Sequence, residues 1–233
     1  HHLLDGDPAS NTLSWRWVSG LHTKGKTYLA RAENVEKFTN GRFRPEPEQL
    51  TTYPKAFDAE PEGERIPLPY FLPPQGKKRS SLLITTEDCA PEAGLLSESV
   101  MSNLEAVATV ATPANPDSVG ASVSVEAFKA AALADAGKRF EQATGLKVVH
   151  LSSPDAIPAW FAGSGADQLI TAYLPCGETR TALAGAFASV EASVGQMAHI
   201  VREWDSTIWP HATAGFFKVK KKIPSVLRRL NLL

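Results

Sequence analysis

From Ser81 onward the chain alternates short apolar, β-leaning runs with longer helical ones, and no other feature constrains the fold as much. Ser81-Leu82-Leu83-Ile84-Thr85 is the first apolar run. Leu104 to Ala111 is ambiguous by periodicity, and a strand is read at Ala106–Val110. Val125 to Thr144 reads as an amphipathic helix, with Phe128, Ala132, Leu133, Ala136 and Phe140 on one stripe and Gly145 as its stop. Lys147 to Leu151 is a strand. Ser153-Pro154-Asp155 opens a helix running through Trp160 and Phe161 to Gly163. Gln168 to Ala172 is the next strand, and Glu178 to Val194 a helix with Leu183, Phe187, Val190 and Val194 inward. Ala198 to Arg202 is a further strand, and Ile223-Pro224 starts a last helix through Leu230, Pro being suited to a first turn.

A β-α-β-α order with short connections predicts an α/β fold over residues 80–233, a mostly parallel, doubly wound, Rossmann-like sheet covered on both faces. Ligands of such sheets sit outside the carboxyl ends of the strands. Those ends fall near Thr86–Asp88, Ser152, Tyr173–Gly177 and Trp204–Asp205.

Upstream, residues 44–79 carry eight prolines, at 45, 47, 54, 61, 67, 69, 73 and 74. That density forbids regular helix or a central strand and predicts an extended spacer, draped over a domain surface. Residues 1–43 form a first block. In it Tyr28, Leu29, Ala32, Val35 and Phe38 follow a helical spacing that Asn40-Gly41 ends.

The block opens on Leu3-Leu4-Asp5-Gly6-Asp7-Pro8-Ala9-Ser10-Asn11-Thr12-Leu13-Ser14-Trp15-Arg16-Trp17. Asp, Gly, Pro, Ser and Asn in succession are turn formers, so Asp5 to Asn11 is irregular backbone. Trp buries its ring beside a hydrogen-bond partner. On these grounds alone the segment suits either a capped helix start with two core tryptophans or a polar loop against a flat, redox-active ring.

The run Leu4, Asp5, Gly6, Asp7, Ala9, Asn11, Trp15 and Trp17 resembles the closing segment of the flavin-binding domain of the DNA photolyase/cryptochrome family, meeting each fixed position of that pattern. The resemblance covers residues 1–43, less than a fifth of the chain. It implies that Asp5 accepts hydrogen bonds from FAD and its ribityl region, with Gly6 and Asp7 beside it in the same loop. It implies that Asn11 faces the flavin N5 edge, that Trp15 relays electrons to the flavin, and that Trp17 lines the cavity for a flipped-out lesion. Members of the family continue with a Gly-Thr-Gly-like loop and an Arg-Ile-Phe-Asn-Pro stretch. This chain instead has Ser19-Gly20-Leu21-His22-Thr23-Lys24-Gly25 and Ala30-Arg31-Ala32-Glu33-Asn34, so repair and its substrate stay open. The family also has an α/β domain, normally placed before the flavin domain, which can carry an antenna pigment. Gln168 to Phe217 is similar in layout to its closing portion, which implies a reversed domain order here. The chain is therefore expected to be a carboxyl-terminal fragment of a longer flavoprotein, inactive by itself. Its partners would be an upstream flavin domain and, through the parent protein, damaged DNA.

A net charge of −1 over 233 residues argues against a protein that coats nucleic acid, although it allows a local patch such as Arg16, Lys24, Lys26 and Arg31. Two cysteines, Cys89 and Cys176, give neither a metal spacing nor a disulfide framework, so a reducing, cytoplasmic setting is expected. No apolar run approaches a membrane span. His1-His2 suggests no metal site.

Other motifs compete. Gly20-Leu21-His22-Thr23-Lys24-Gly25-Lys26-Thr27 spells a phosphate loop, but the strand it needs before it, Trp15 to Val18, is short and follows turn residues. Asp88 would be its partner acid. Glu87-Asp88 at a strand end suits a metal, a base or a solvated turn. Glu203, Asp205 and His211 flank Trp204 and Trp209, a pattern of packed aromatics more than of catalysis. Lys218 to Lys222 suits nucleic-acid phosphate or a solvated helix start. Three functions follow: a photolyase/cryptochrome-like flavoprotein; a non-catalytic α/β module docking through Trp160, Phe161 and the Pro-rich arm; and a phosphate-loop nucleotide binder.

Overall fold

The computed structural model describes residues 29–50, 68–90, 96–112, 122–212 and 216–233. The chain divides into two compact units, residues 1–66 and 67–233. Among the described residues, the first unit holds helix α1 (Ala32–Phe38) and a 3-10 turn at Pro47–Gln49. Asn40 and Gly41 stop α1 by adopting φ values of 53° and 73°, and the Gly41 N–H donates back to the Glu36 carbonyl at 2.8 Å. No side chain of α1 is buried.

The second unit is a five-stranded, wholly parallel sheet with helices on both faces. In chain order it comprises β1 (Ser80–Ile84), α2 (Glu98–Met101), β2 (Leu104–Val110), α3 (Val123–Thr144), β3 (Val148–Leu151), α4 (Ala156–Ser164), β4 (Gln168–Ala172), α5 (Glu178–Val194) and β5 (Ala198–Ile200). It closes with α6 (Glu203–Ile208), a 3-10 turn at Trp209–His211, α7 (Phe216–Lys220) and α8 (Ile223–Arg229). The α/β, doubly wound expectation holds.

Strand order is β3-β2-β1-β4-β5. The chain winds outward from β1 to β3, then returns across the sheet to lay β4 on the other side of β1. Connections leaving β1 and β4 diverge to opposite faces, which opens a crevice at their carboxyl ends.

Both faces are packed, so central strands are apolar throughout rather than alternating. Every residue of β1 is buried. Leu82 and Ile84 join Val107, Leu133, Ala136, Phe140 and Ile170 on one face. Leu83 joins Ala108, Ile157, Phe161, Leu169, Leu183 and Val190 on the other. Helix α3 starts at Ser122, whose hydroxyl accepts the Val125 N–H, and ends on Gly145 at φ 75°.

Three expectations need correction. Phe128 is not on the buried stripe of α3 but 62% exposed. The stripe is centred on Val125, Leu133, Ala136 and Phe140, and Phe128 lies about 100° around the helix from that centre. Phe161 is core, only 4% exposed, and so is not available as a docking residue, whereas Trp160 is half-buried against the same cluster. Strand β5 stops at Ile200, two residues short, because α6 begins at Glu203. The short helices α2, α6 and α7 were not expected from periodicity, which needs more than one or two turns to register. None of the described helices is long and apolar enough to cross a membrane.

Candidate functional site: a cleft at the carboxyl ends of β1, β4 and β5

The first wall of the cleft comes from the turn after β1. Thr85 follows the strand, and its hydroxyl and carbonyl take the backbone N–H groups of Glu87 and Asp88, each at 3.3 Å. This turn carries Glu87 and Asp88 to the cleft lining. A second wall follows β4 and comprises Ala172, Tyr173, Pro175 and Cys176. A third runs from the end of β5 into α6 and the turn beyond it: Ile200, Val201, Arg202, Asp205, Ile208, Trp209 and Ala212. Together they enclose about 500 Å³, at the lower end of the range for small-molecule sites.

Arg202 links the walls electrostatically. Its guanidinium lies 3.0 Å from the Asp88 carboxylate and 4.0 Å from that of Asp205. The Asp88 side chain is only 11% exposed, whereas Arg202 is about half exposed. Asp88 is therefore a largely buried, paired carboxylate, while Glu87 beside it in the same turn is exposed. Three lining carboxylates, Glu87, Asp88 and Asp205, face one lining cation, so the polar rim favours hydrogen-bond donors or positive charge on a ligand.

The remaining surface is aromatic. Tyr173 and Trp209 stand with ring centroids 5.4 Å apart. Phe71, from the Pro-rich segment, braces both, at 4.7 Å from Tyr173 and 5.9 Å from Trp209. His199 completes the cluster at 6.5 Å from Phe71 and from Tyr173. Burial pushes the His199 pKa down, and nearby Arg180 adds to this, against opposing effects of Glu191 and a backbone hydrogen bond at Met197. The segment bearing Phe71 is stitched to the sheet. The Leu72 carbonyl accepts the His199 N–H at 2.8 Å, and Gln75 and Gln168 exchange bonds of 3.1 and 2.7 Å.

Two thiols lie nearby. Cys176 lines the cleft and takes a 3.7 Å contact from Arg180. Cys89 points away toward the core, its pKa raised first by burial and then by Asp88. Among the described residues, no group of three or more His, Cys, Asp or Glu could hold a metal ion.

Of the strand ends marked from sequence, the structure brings Asp88, Tyr173, Cys176 and Asp205 into one cleft. Ser152, Glu203, Trp204 and His211 are not part of its lining. Arg202 and Phe71 had no sequence signal, since Arg202 sat inside a run read as strand and Phe71 inside a spacer. Asp5, Gly6, Asp7, Asn11, Trp15, Trp17 and the phosphate-loop spelling at 20–27 lie outside the described residues. Comparison of the chain with family models, with curated proteins and with solved structures finds no match in any of the three.

Proposed function

We propose that the chain belongs to a photolyase/cryptochrome-like FAD flavoprotein. The observation that carries this reading is the run Leu4-Asp5-Gly6-Asp7, Ala9, Asn11 and Trp15-Arg16-Trp17. The donor and acceptor chemistry of the run fits the cofactor. The Asp5 carboxylate is an acceptor for ring or ribityl N–H and O–H groups, the Asn11 amide offers both a donor and an acceptor, and Gly6 lets backbone approach closely. When bound, FAD supplies light-driven one-electron chemistry. In this reading Asp5, Gly6 and Asp7 hold the cofactor, Asn11 biases its protonation, Trp15 relays an electron and Trp17 offers a stacking face to an extruded base. The outcome is light-driven repair of a pyrimidine dimer or blue-light signalling.

The test is absorption spectroscopy of the full-length protein before and after blue light. Flavin bands that bleach on illumination, with photoreduction lost in Trp15→Phe, support the reading. A protein purified without flavin, or unchanged photoreduction in Trp15→Phe, overturns it.

A second reading rests on the cleft. The α/β domain is a binding module for a small planar molecule with donor groups on its edge, stacked against Tyr173 and Trp209 and facing Asp88 and Asp205. A pigment carried by the α/β domain would occupy this cleft. Quenching of tryptophan emission by a small heteroaromatic ligand, lost in Tyr173→Ala, is the supporting result. Equal quenching in that variant removes the cleft from consideration.

A further inference from the structure

We propose that the carboxyl-terminal helices α7 and α8 form an electrostatic docking surface for the phosphate backbone of duplex DNA, independent of flavin and of base sequence. The inference begins with how charge is distributed. The last acidic residue of the chain is Asp205. Beyond it, Lys218, Lys220, Lys221, Lys222, Arg228 and Arg229 place six cations within twelve positions. The whole chain has 24 Lys and Arg against 25 Asp and Glu, so the other 205 residues hold eighteen cations against all twenty-five acids. A near-neutral total conceals a strongly basic end on an acidic body, and such a field turns an approaching polyanion toward one surface only.

All six cationic side chains are exposed. Elsewhere Arg44, Arg79, Lys129, Arg139 and Arg202 each lie within 4.0 Å of a carboxylate. None of the six has such a partner among the described residues. They are uncompensated charges, and phosphate is the chemistry that would compensate them by releasing counterions.

The packing of α8 selects nucleic acid over lipid. A helix that binds a bilayer surface keeps its apolar face free. Here Val226 is buried, Ile223, Leu227 and Leu230 are half-buried, and α8 packs on α6, the helix that walls the cleft. The apolar face is spent on the domain, leaving the cations outward. Phe217, Leu232 and Leu233 remain exposed and are what a lipid surface would use, so vesicles form an arm of the test.

The experiment is fluorescence anisotropy of a labelled DNA duplex of arbitrary sequence, titrated with the full chain in the dark. If four phosphates are engaged, affinity falls about a hundredfold between about 50 and about 200 mM salt. Replacing Lys218, Lys220, Lys221 and Lys222 together by Gln lowers affinity at least about tenfold and flattens the salt dependence, whereas replacing them by Arg preserves both. Circular dichroism and melting temperature report whether the variants fold. Should the Gln variant misfold, Arg228→Gln with Arg229→Gln carries the same test. Absence of duplex binding at low salt, affinity unchanged in the folded Gln variants, or binding to phosphatidylserine vesicles but not to duplex each overturns the proposal. No light or flavin enters the measurement, so its failure leaves the flavin reading untouched.

Discussion

At the mouth of the cleft, Asp88 is held almost out of water and must keep a partner there. Arg202 supplies it, but Arg202 is half in solvent, so much of the Coulomb energy is screened. Asp88→Ala is expected to cost about 1 kcal/mol in urea unfolding, and Arg202→Gln less. A double-mutant cycle should show coupling of about 0.5–1 kcal/mol, and additive losses would mean the pair contributes nothing. His199 provides a pH signature. Its folded pKa lies below the ordinary 6.5 because burial disfavours the imidazolium. The unfolded chain therefore binds the extra proton first, so the His199 contribution is fully present above about 6.5 and is lost as pH falls toward the depressed folded value. Melting temperature should fall between about pH 7 and 5, with a shallower fall in His199→Gln, and parallel profiles would exclude His199 as the source.

The elements of the sheet were legible where length and composition agreed. Gln168–Ala172 and Glu178–Val194 appear with the boundaries read from sequence, because β-leaning runs and Gly residues mark their ends. The face of α3 was misread. Apolar content alone assigned Phe128 inward, whereas Gly137 shows which side meets the sheet: a Cβ there would come within 3.4 Å of Thr109 and Val148. A small residue was the stronger marker of close approach. Phe140→Ala, at 0% exposure, is expected to cost about 3–5 kcal/mol, and Phe128→Ala less than about 0.5 kcal/mol. Comparable losses in chemical denaturation would contradict the assigned packing of α3. The site was legible only as strand ends. Its aromatic wall depends on Phe71, about a hundred residues before Tyr173, and no local pattern reports a contact of that range.

For the molecule as a whole, residues 67–233 contain every strand found among the described residues and both cores. A chain beginning at Pro67 is expected to keep the circular dichroism of the sheet and a cooperative melt close to that of the 233 residues, and loss of the transition would show that residues 1–66 are structurally required. The same 233 residues are expected to purify with much less than one FAD each, since the family resemblance supplies a single short stretch of a cofactor cradle. A stoichiometric flavin absorbance would contradict this.

The bond from the Leu72 carbonyl to His199 bears on where this molecule can safely be cut. Strand β5 is the sheet's outer strand on that side and only three residues long. An outer strand is a template onto which foreign chains can add, and Leu72 already occupies part of it. Removing residues through 66 leaves that guard in place. A protease nick after Leu72 would release it, bare the aromatic cluster, and turn a folded domain into a seed for strand-by-strand growth.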